Sequence, residues 1–503
     1  MTQKTKSWAA DLISRFGENQ TAFALILITA VSLRVLNLGE SLWFDEVLYS
    51  TRLAATNLSR LWQLILTDTP APLYRVVLYG WNGLFGENEL VVRLPSLMCG
   101  IGAILLTYAI GKQYGSAKMA TLAALFLCLS PVQVWYSQEA TSYAMATCLS
   151  LGAVFACQVL RSGAHGGYWY LIYGLVLWSA IFTHYFNAVF LLPLTVMALT
   201  GVPAARKRII AINILLGILT VAAFAAKSKL GILMLDLPFL RPFTLFEWWM
   251  LFFNWFLHGN SIWTLSPYGA RPADLLNSRL LLPCQIFFLF LLIRGLTTPR
   301  QGGYARSLEL PLCLCSLPLT LFLLTLVGFN KMYVERYLVM ALPFFAIGIA
   351  RGAVGFSNVW LRRGCISATL VVAVVSYAMF LSKGDVWTVY KQNPDMRSAA
   401  AYLLAHKPSK EEVLFILPTG KADLAYYVKK QAYPGHPPVE DYNPAKLAHM
   451  FKTGKLKGIF LVHNRYWEGN FQALYRHLNS IPRLEEVKTR SFKGVDIYTF
   501  VPK

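Results

Sequence analysis

Ser41-Leu42-Trp43-Phe44-Asp45-Glu46-Val47-Leu48-Tyr49 sets two adjacent carboxylates among aromatic residues, directly after the first apolar run of the chain. What they mean depends on their surroundings. Of the 503 residues, 56% are hydrophobic and only 14% are charged, and the mean hydropathy is +0.48. Soluble globular proteins do not have this composition. Apolar runs of about 17–22 residues recur along the chain, long enough to cross a hydrocarbon core of roughly 30 Å. The chain reads as a polytopic α-helical membrane protein. Carboxylates kept at the edge of hydrocarbon are costly there and usually mark function.

Eleven runs are expected to span, at roughly 21–38, 93–111, 117–134, 142–160, 168–184, 187–202, 208–226, 279–296, 309–328, 337–351 and 365–382. The segments between them sort by charge. Lys112 and Lys118; Arg161; Arg206, Lys207 and Arg208; Arg294, Arg300 and Arg306; and Arg351, Arg362 and Arg363 alternate with segments that hold the acids. The basic set, with Lys4, Lys6 and Arg15, is cytoplasmic by the positive-inside rule. Residues 39–92, 135–141, 185–186, 227–278 and 329–336 are then extracytoplasmic, and an odd number of spans puts the C-terminal segment there too. The net charge of +21 is thereby accounted for by orientation. Nucleic-acid binding is disfavoured, since no basic patch with stacking aromatics stands on a soluble fold. All eight cysteines lie in or beside apolar runs, which indicates neither a disulfide framework nor a zinc site. The first run carries no small-residue cleavage signal behind it, so a retained helix is expected rather than a signal peptide.

Two domains are expected, a transmembrane domain over 1–382 and a soluble extracytoplasmic one over 383–503. Within the outer segment 39–92, Leu58–Leu66 and Leu73–Phe85 are too short to span and read as interfacial helices. In 227–278, Phe246-Glu247-Trp248-Trp249 and Phe252-Phe253-Asn254-Trp255-Phe256 read as an aromatic belt at the headgroup level. Beyond Lys383, helices are expected at Ser398–Ala405, Ala422–Lys430 and 469–478, and strands at Val413–Leu417, Gly458–Val462 and near 495–501. That alternation predicts a small α/β domain. It lacks a glycine fingerprint and a P-loop, so it reads as a cap or docking domain.

Four elements could carry chemistry. Asp45-Glu46 could supply the base that takes a proton from an acceptor hydroxyl as it attacks an anomeric carbon; the plainer reading is a cap for the helix beginning near Val47. Ser130-Pro131 through Tyr143 supplies Glu139, with Tyr136 and Gln138 beside it, or is simply a polar turn. Asp68-Thr69-Pro70-Ala71-Pro72-Leu73-Tyr74-Arg75 breaks one helix and starts another, leaving Tyr74 and Arg75 on its first turn. Arg75 would meet a phosphate or snorkel to the interface. Asn330-Lys331-Met332-Tyr333-Val334-Glu335-Arg336-Tyr337 brings Lys331 and Arg336 to the side where cations are sparse. They could neutralise a phosphate leaving group, or pair with Glu335 at the surface for little gain. His184, in Thr183-His184-Tyr185, could hydrogen-bond the same phosphate or be structural.

In this order the elements resemble those of the GT-C superfamily of membrane glycosyltransferases, in the branch of protein O-mannosyltransferases and lipid A aminoarabinose transferases. The resemblance rests on Trp43-Phe44-Asp45-Glu46, Pro70-Ala71-Pro72-Leu73-Tyr74, Val92-Arg93-Leu94-Pro95-Ser96, Ser130-Pro131 with Trp135-Tyr136-Ser137-Gln138-Glu139-Ala140, Thr183-His184-Tyr185, and Glu335-Arg336-Tyr337-Leu338 with Pro343. Asn393–Leu403 also resembles the start of the family's outer domain. The resemblance implies a sugar donor on a polyprenyl or dolichyl phosphate and inversion at the anomeric carbon. It also implies Asp45 as base or acceptor-orienting group. Many relatives carry a basic residue where this chain has Thr69, and an arginine where it has Thr141. Donor binding is therefore expected to lean on Arg75, Arg93, His184, Lys331 or Arg336, with Tyr74, Tyr136, Gln138 and Tyr333 in the cavity. Some relatives respond to divalent metals, but no metal-ligand constellation stands in this sequence and no firmly bound metal is expected.

A transporter or flippase for a lipid-linked glycan is the alternative from another class. It should place ionisable groups near the bilayer midplane and often repeats its halves, whereas here the acids cluster toward one face and no repeat is evident. An O-antigen ligase or polymerase would instead lean on outer loops rich in Arg and His.

Overall fold

A computed structural model describes residues 20–50, 57–68, 70–163, 166–229, 240, 242–259, 272–298, 304–329, 332–382, 394–406, 413–416, 421–431, 439–440, 443–454, 456–465 and 471–503. The chain divides into two compact units. One comprises 1–37, 62–78 and 93–390; the other comprises 38–61, 79–92 and 391–503.

In the first unit each expected apolar run falls on a helix. Among the described residues six helices are long and apolar enough to cross a membrane: Glu89–Tyr114, Ser142–Leu160, Pro203–Ser228, Ser307–Leu326, Glu335–Val354 and Val359–Ala378. Ala117–Leu129 and Pro131–Ser137 form a further broken span bent by 63°, and Ala24–Val35, Tyr168–Thr183, Tyr185–Leu199 and Leu282–Thr297 are shorter apolar helices. The protein is a multi-span membrane protein. The bend follows from Ser130-Pro131, since proline has no N–H to continue the ladder and its ring collides with the preceding turn. Carbonyls freed at the break must find donors, because the hydrocarbon offers none. The fully buried Arg34 supplies one, donating to the Cys128 carbonyl at 3.2 Å and to Ser137 Oγ at 3.1 Å.

Pro272–Thr297 and Leu342–Val354 cross with their backbones almost in contact. A Cβ at Gly295 would lie 1.9 Å from the Gly348 carbonyl oxygen, and one at Gly352 would lie 1.9 Å from that of Leu291. Gly348-Ile349-Ala350-Arg351-Gly352 is thus a small-xxx-small face, which lets helices in lipid approach where dispersion must hold them. At the ends of this pair each helix caps the other. Arg351 donates to the carbonyls of Gly295 (2.9 Å) and Thr298 (2.8 Å), while Arg294 donates to that of Gly355 (2.7 Å). A buried ion pair, Arg161 with Glu309, also engages Thr200 and ties three further helix ends.

Of the expected aromatic belt, Phe246 is exposed, but the second stretch is not. Phe252, Phe253, Trp255 and Phe256 are buried, with Phe252 stacked on Phe345 (5.8 Å between centroids) and Phe256 at 5.5 Å from the same ring. These rings fill the core around the helix Leu342–Val354 rather than girdling it. Helix Leu58–Thr67 does carry an outward apolar stripe, with Leu58, Trp62 and Leu66 exposed and Leu61 buried, as an interfacial helix requires.

The second unit contains a five-stranded sheet in the order β2-β1-β3-β5-β4, where β1 is Val413–Ile416, β2 Val439–Glu440, β3 Gly458–Asn464, β4 Leu484–Phe492 and β5 Val495–Pro502. β2, β1 and β3 run parallel, and β5 pairs antiparallel with both β3 and β4. Central β3 is buried at every residue, its apolar run Gly458–Val462 continuing into His463 and Asn464. Helices Met396–Ala405, Lys421–Gln431 and Phe471–Ser480 match the expected ones within about two residues; Pro444–Lys452 is an addition. β4 was not foreseen. Its residues from Glu485 to Ser491 are exposed on both faces, so no apolar period marks it, and only the Lys493-Gly494 turn, with Gly494 at φ +71°, pairs it with β5.

Asp423 is buried in the first turn of helix Lys421–Gln431, and burial raises its carboxyl to about 7. The folded domain therefore binds a proton there that the unfolded chain releases near pH 4, and stability falls as pH rises from about 4 to about 7. Asp423→Asn should remove this dependence and raise the melting temperature of the full chain at pH 8 by a few degrees. Melting at pH 5 and pH 8 checks it, and a variant that melts below the wild type at pH 8 contradicts it.

Candidate active site

Asp45 and Glu46 open the helix Phe44–Ser50 in the second unit. Trp43 is its cap: its carbonyl accepts from Val47 N at 3.0 Å, and its own N–H donates back to Glu46 Oε2 at 3.2 Å. This is one arm of a capping box. Glu46 is fully buried, whereas Asp45 is half-buried. The two adjacent acids thereby differ: Glu46 is buried and holds the turn, and Asp45 stands half-buried beside it. The capping reading of the pair is thus met by Glu46.

The remaining elements lie in the first unit, where three of them form one hydrogen-bonded chain. Tyr74 and Ser96 share a 2.7 Å hydrogen bond between their hydroxyls, and Ser96 also donates to the Thr141 carbonyl at 3.3 Å. Thr141 Oγ1 in turn donates to the buried Glu139 carboxylate at 3.4 Å. Thr141 therefore orients Glu139, a role a threonine hydroxyl suits.

A ring cluster continues from there. Tyr136 meets Tyr143 edge-on at 4.9 Å, Tyr143 lies 5.7 Å from His184, and His184 lies 5.4 Å from Tyr337. The Arg336 guanidinium stands 6.0 Å over the Tyr143 ring, within cation–π range. The Thr183-His184-Tyr185 turn and the Glu335-Arg336-Tyr337 turn are thus brought together, about 150 residues apart in the chain. A guanidinium, an imidazole and three phenols packed at one place can hold an anion through donors of different geometry.

Other expected site residues take other positions. Arg75 is buried and ion-paired with Asp68 at 2.6 Å, so its charge is largely answered within its own element. Gln138 caps the first helix, donating to the carbonyls of Leu33 (3.1 Å), Arg34 (3.3 Å) and Leu36. Tyr333 is buried against Phe243 at 4.6 Å. Arg93 is fully buried. Lys331 and Thr69 lie outside the described residues. Lys227 was not singled out in the sequence, yet its ammonium donates to the carbonyls of Asp68 (2.6 Å) and Pro70 (3.3 Å) and sits 5.4 Å over Tyr185. Its place in the Lys227-Ser228-Lys229 end of a long apolar helix was its signal. Among the described residues no three His, Cys, Asp or Glu side chains gather as a metal-holding group.

Residues 68–230 match the family model of dolichyl-phosphate-mannose-protein mannosyltransferases, a stretch that includes the Tyr74, Arg93, Glu139 and His184 elements. Across nearly the whole chain the structure superposes on apo ArnT of Cupriavidus metallidurans, with a TM-score of 0.54 at 14% identity, covering 97% of this chain and 98% of that one. The chain has the GT-C membrane glycosyltransferase fold. The same GT-C protein bound to undecaprenyl phosphate matches equally, at a TM-score of 0.54 and 14% identity over 96% of this chain and 98% of the other. The archaeal oligosaccharyltransferase AglB of Archaeoglobus fulgidus, in complex with an inhibitory peptide and a dolichol-phosphate, matches at a TM-score of 0.50 and 11% identity over 89% and 70%. No curated protein sequence matches the chain.

Proposed function

We propose that this GT-C protein moves a sugar from a polyprenyl-phosphate donor to a hydroxyl of a lipid, glycan or protein acceptor, with inversion. The reading rests on one observation: the elements singled out for chemistry in the first unit meet, Tyr74–Ser96–Thr141–Glu139 through hydrogen bonds and Tyr143, His184, Arg336 and Tyr337 through ring contacts that begin two residues after Thr141. The known structures of this fold bound to undecaprenyl phosphate and to a dolichol-phosphate support the donor class.

In this reaction the acceptor oxygen attacks the anomeric carbon while the bond from that carbon to the donor phosphate breaks. The bonding pair leaves with the phosphate, and Asp45 takes the acceptor proton. Arg336, with His184 and Arg93, is assigned to the phosphate, where charge grows as the bond breaks and a fixed donor is worth most. Lys331 is a further cation for it on sequence grounds, and Arg75 contributes less because Asp68 already answers it. Glu139, held by Thr141, is assigned to orienting the sugar or acceptor. By the positive-inside rule, the protein sits in the inner membrane with its N-terminus cytoplasmic and its C-terminal domain periplasmic.

Arg336→Ala should weaken binding of undecaprenyl phosphate to the purified protein by about ten- to a hundredfold, the range of one charge-assisted contact. Titration of the lipid into wild type and variant checks it. An unchanged affinity would remove Arg336 from the phosphate site.

A further inference from the structure

The Asp-Glu segment and the C-terminal sheet, more than 350 residues apart in the chain, are joined inside the second unit by side chains that serve no evident purpose in the sheet itself. Tyr427, on helix Lys421–Gln431, is fully buried. Its hydroxyl accepts the Leu42 N–H at 2.7 Å and hydrogen-bonds the buried Glu89 carboxylate. Burial, then the charge of Glu89, holds this phenol well above its usual range, so it stays protonated and donates to Glu89 while accepting from Leu42. Glu89 is steadied by Arg397 at 3.4 Å. One residue earlier, Ser41 Oγ donates to Asp395 Oδ1 at 3.1 Å and accepts the Arg397 N–H at 3.2 Å. One residue earlier still, Glu40 is paired with Lys493 at 2.7 Å. Burial alone would raise the Asp395 carboxyl, but the hydrogen bonds from Ser398 and Ser41 and the charge of Arg397 hold it below the usual range and therefore ionised.

Three consecutive residues, Glu40, Ser41 and Leu42, are thus each tied to the C-terminal domain, and the next three lead to Asp45. A loop needs none of these ties merely to connect a helix to the next. A carboxylate that must meet a hydroxyl within hydrogen-bond reach does need its backbone fixed, since small misplacements cost large factors in rate.

We infer that the C-terminal domain is the positioning element for the Asp45 turn, with Tyr427 as the principal positioning residue acting through Leu42. The domain's task is then to aim the base. This rests on Asp45 being the base.

The test uses Tyr427→Phe in the full chain, read in two ways. Hydrogen exchange of a peptide spanning Leu42–Val47 should speed up about tenfold, the scale of one lost buried hydrogen bond, while exchange in β3 and β5 is unchanged. With lipid extract from cells lacking the protein as donor source, kcat should fall at least about fivefold at unchanged donor KM. Unchanged exchange in the peptide overturns the proposal, as does unchanged kcat with faster exchange. If β3 and β5 also exchange faster, Ser41→Ala, which removes the ties to Asp395 and to the Arg397 N–H without altering helix Lys421–Gln431, must give the same local exchange and the same kcat loss, or the proposal fails. Asp45→Asn in the same assay separates the two readings. Wild-type turnover there removes the base, whereas the exchange result still decides whether the domain holds the turn.

Discussion

Asp45→Asn is expected to abolish sugar transfer while the protein still accumulates and folds. The substitution keeps shape and volume and removes only the ability to accept a proton, so its effect falls on the chemical step. Loss of a general base typically costs about 10²–10⁴ in rate. Glu46 is the internal control. Its carboxylate is buried and spent on the Trp43 N–H, and a glutamine there keeps an oxygen for the same bond. Glu46→Gln should therefore retain most activity, whereas Glu46→Ala should weaken the turn by about 1 kcal/mol, as loss of a cap does. Mass spectrometry of lipids, glycans and envelope proteins from cells with the deletion, the wild type and each variant reads the outcome. A sugar-sized mass missing in both the deletion and Asp45→Asn identifies donor and acceptor together. Wild-type product from the asparagine variant would take Asp45 out of the reaction, and lipid-linked sugar accumulating on one leaflet would favour a transporter.

Gly352→Leu should prevent the membrane unit from assembling. Its Cβ would meet the Leu291 carbonyl oxygen at 1.9 Å, and the Leu291 backbone carbon at 2.7 Å. A flexible side chain could move away; a helix backbone cannot without separating Pro272–Thr297 from Leu342–Val354. That separation would also break the reciprocal caps of Arg294 and Arg351, costing both guanidinium groups their bonds to the helix-end carbonyls. Overpacking ordinarily costs about 1–3 kcal/mol, and a clash against backbone should exceed that range. The expected result is little monodisperse protein on size exclusion and a collapsed melting temperature. Gly364→Ala, where a Cβ meets nothing within 4 Å, should behave as wild type. A monodisperse Gly352→Leu protein with an unchanged melting temperature would contradict the close crossing.

What the sequence determined by itself is what depends on local composition. Helices in lipid must satisfy their own backbone groups, so an apolar run of sufficient length turns helical, and each of the expected runs is helical, the run 117–134 as two helices broken at Ser130-Pro131. The break at Ser130-Pro131, the strands at 413–416 and 458–464, and the domain helices are legible for the same reason: proline chemistry and apolar period are local properties. The acids and cations at the hydrocarbon edge stand out in the sequence as well, because charge beside hydrocarbon is conspicuous.

Only the tertiary structure decided which of those charges serve which end. Asp68 answers Arg75, Gln138 caps a helix a hundred residues away, and Lys227 reaches the proline turn from another helix. Charged β4 becomes a strand through its pairing with β5. The tie between Ser41 and Asp395 spans 354 residues. A hydrogen bond of that kind leaves no periodicity in either stretch, since a serine before an aromatic turn and an aspartate before a helix look the same whether or not they meet.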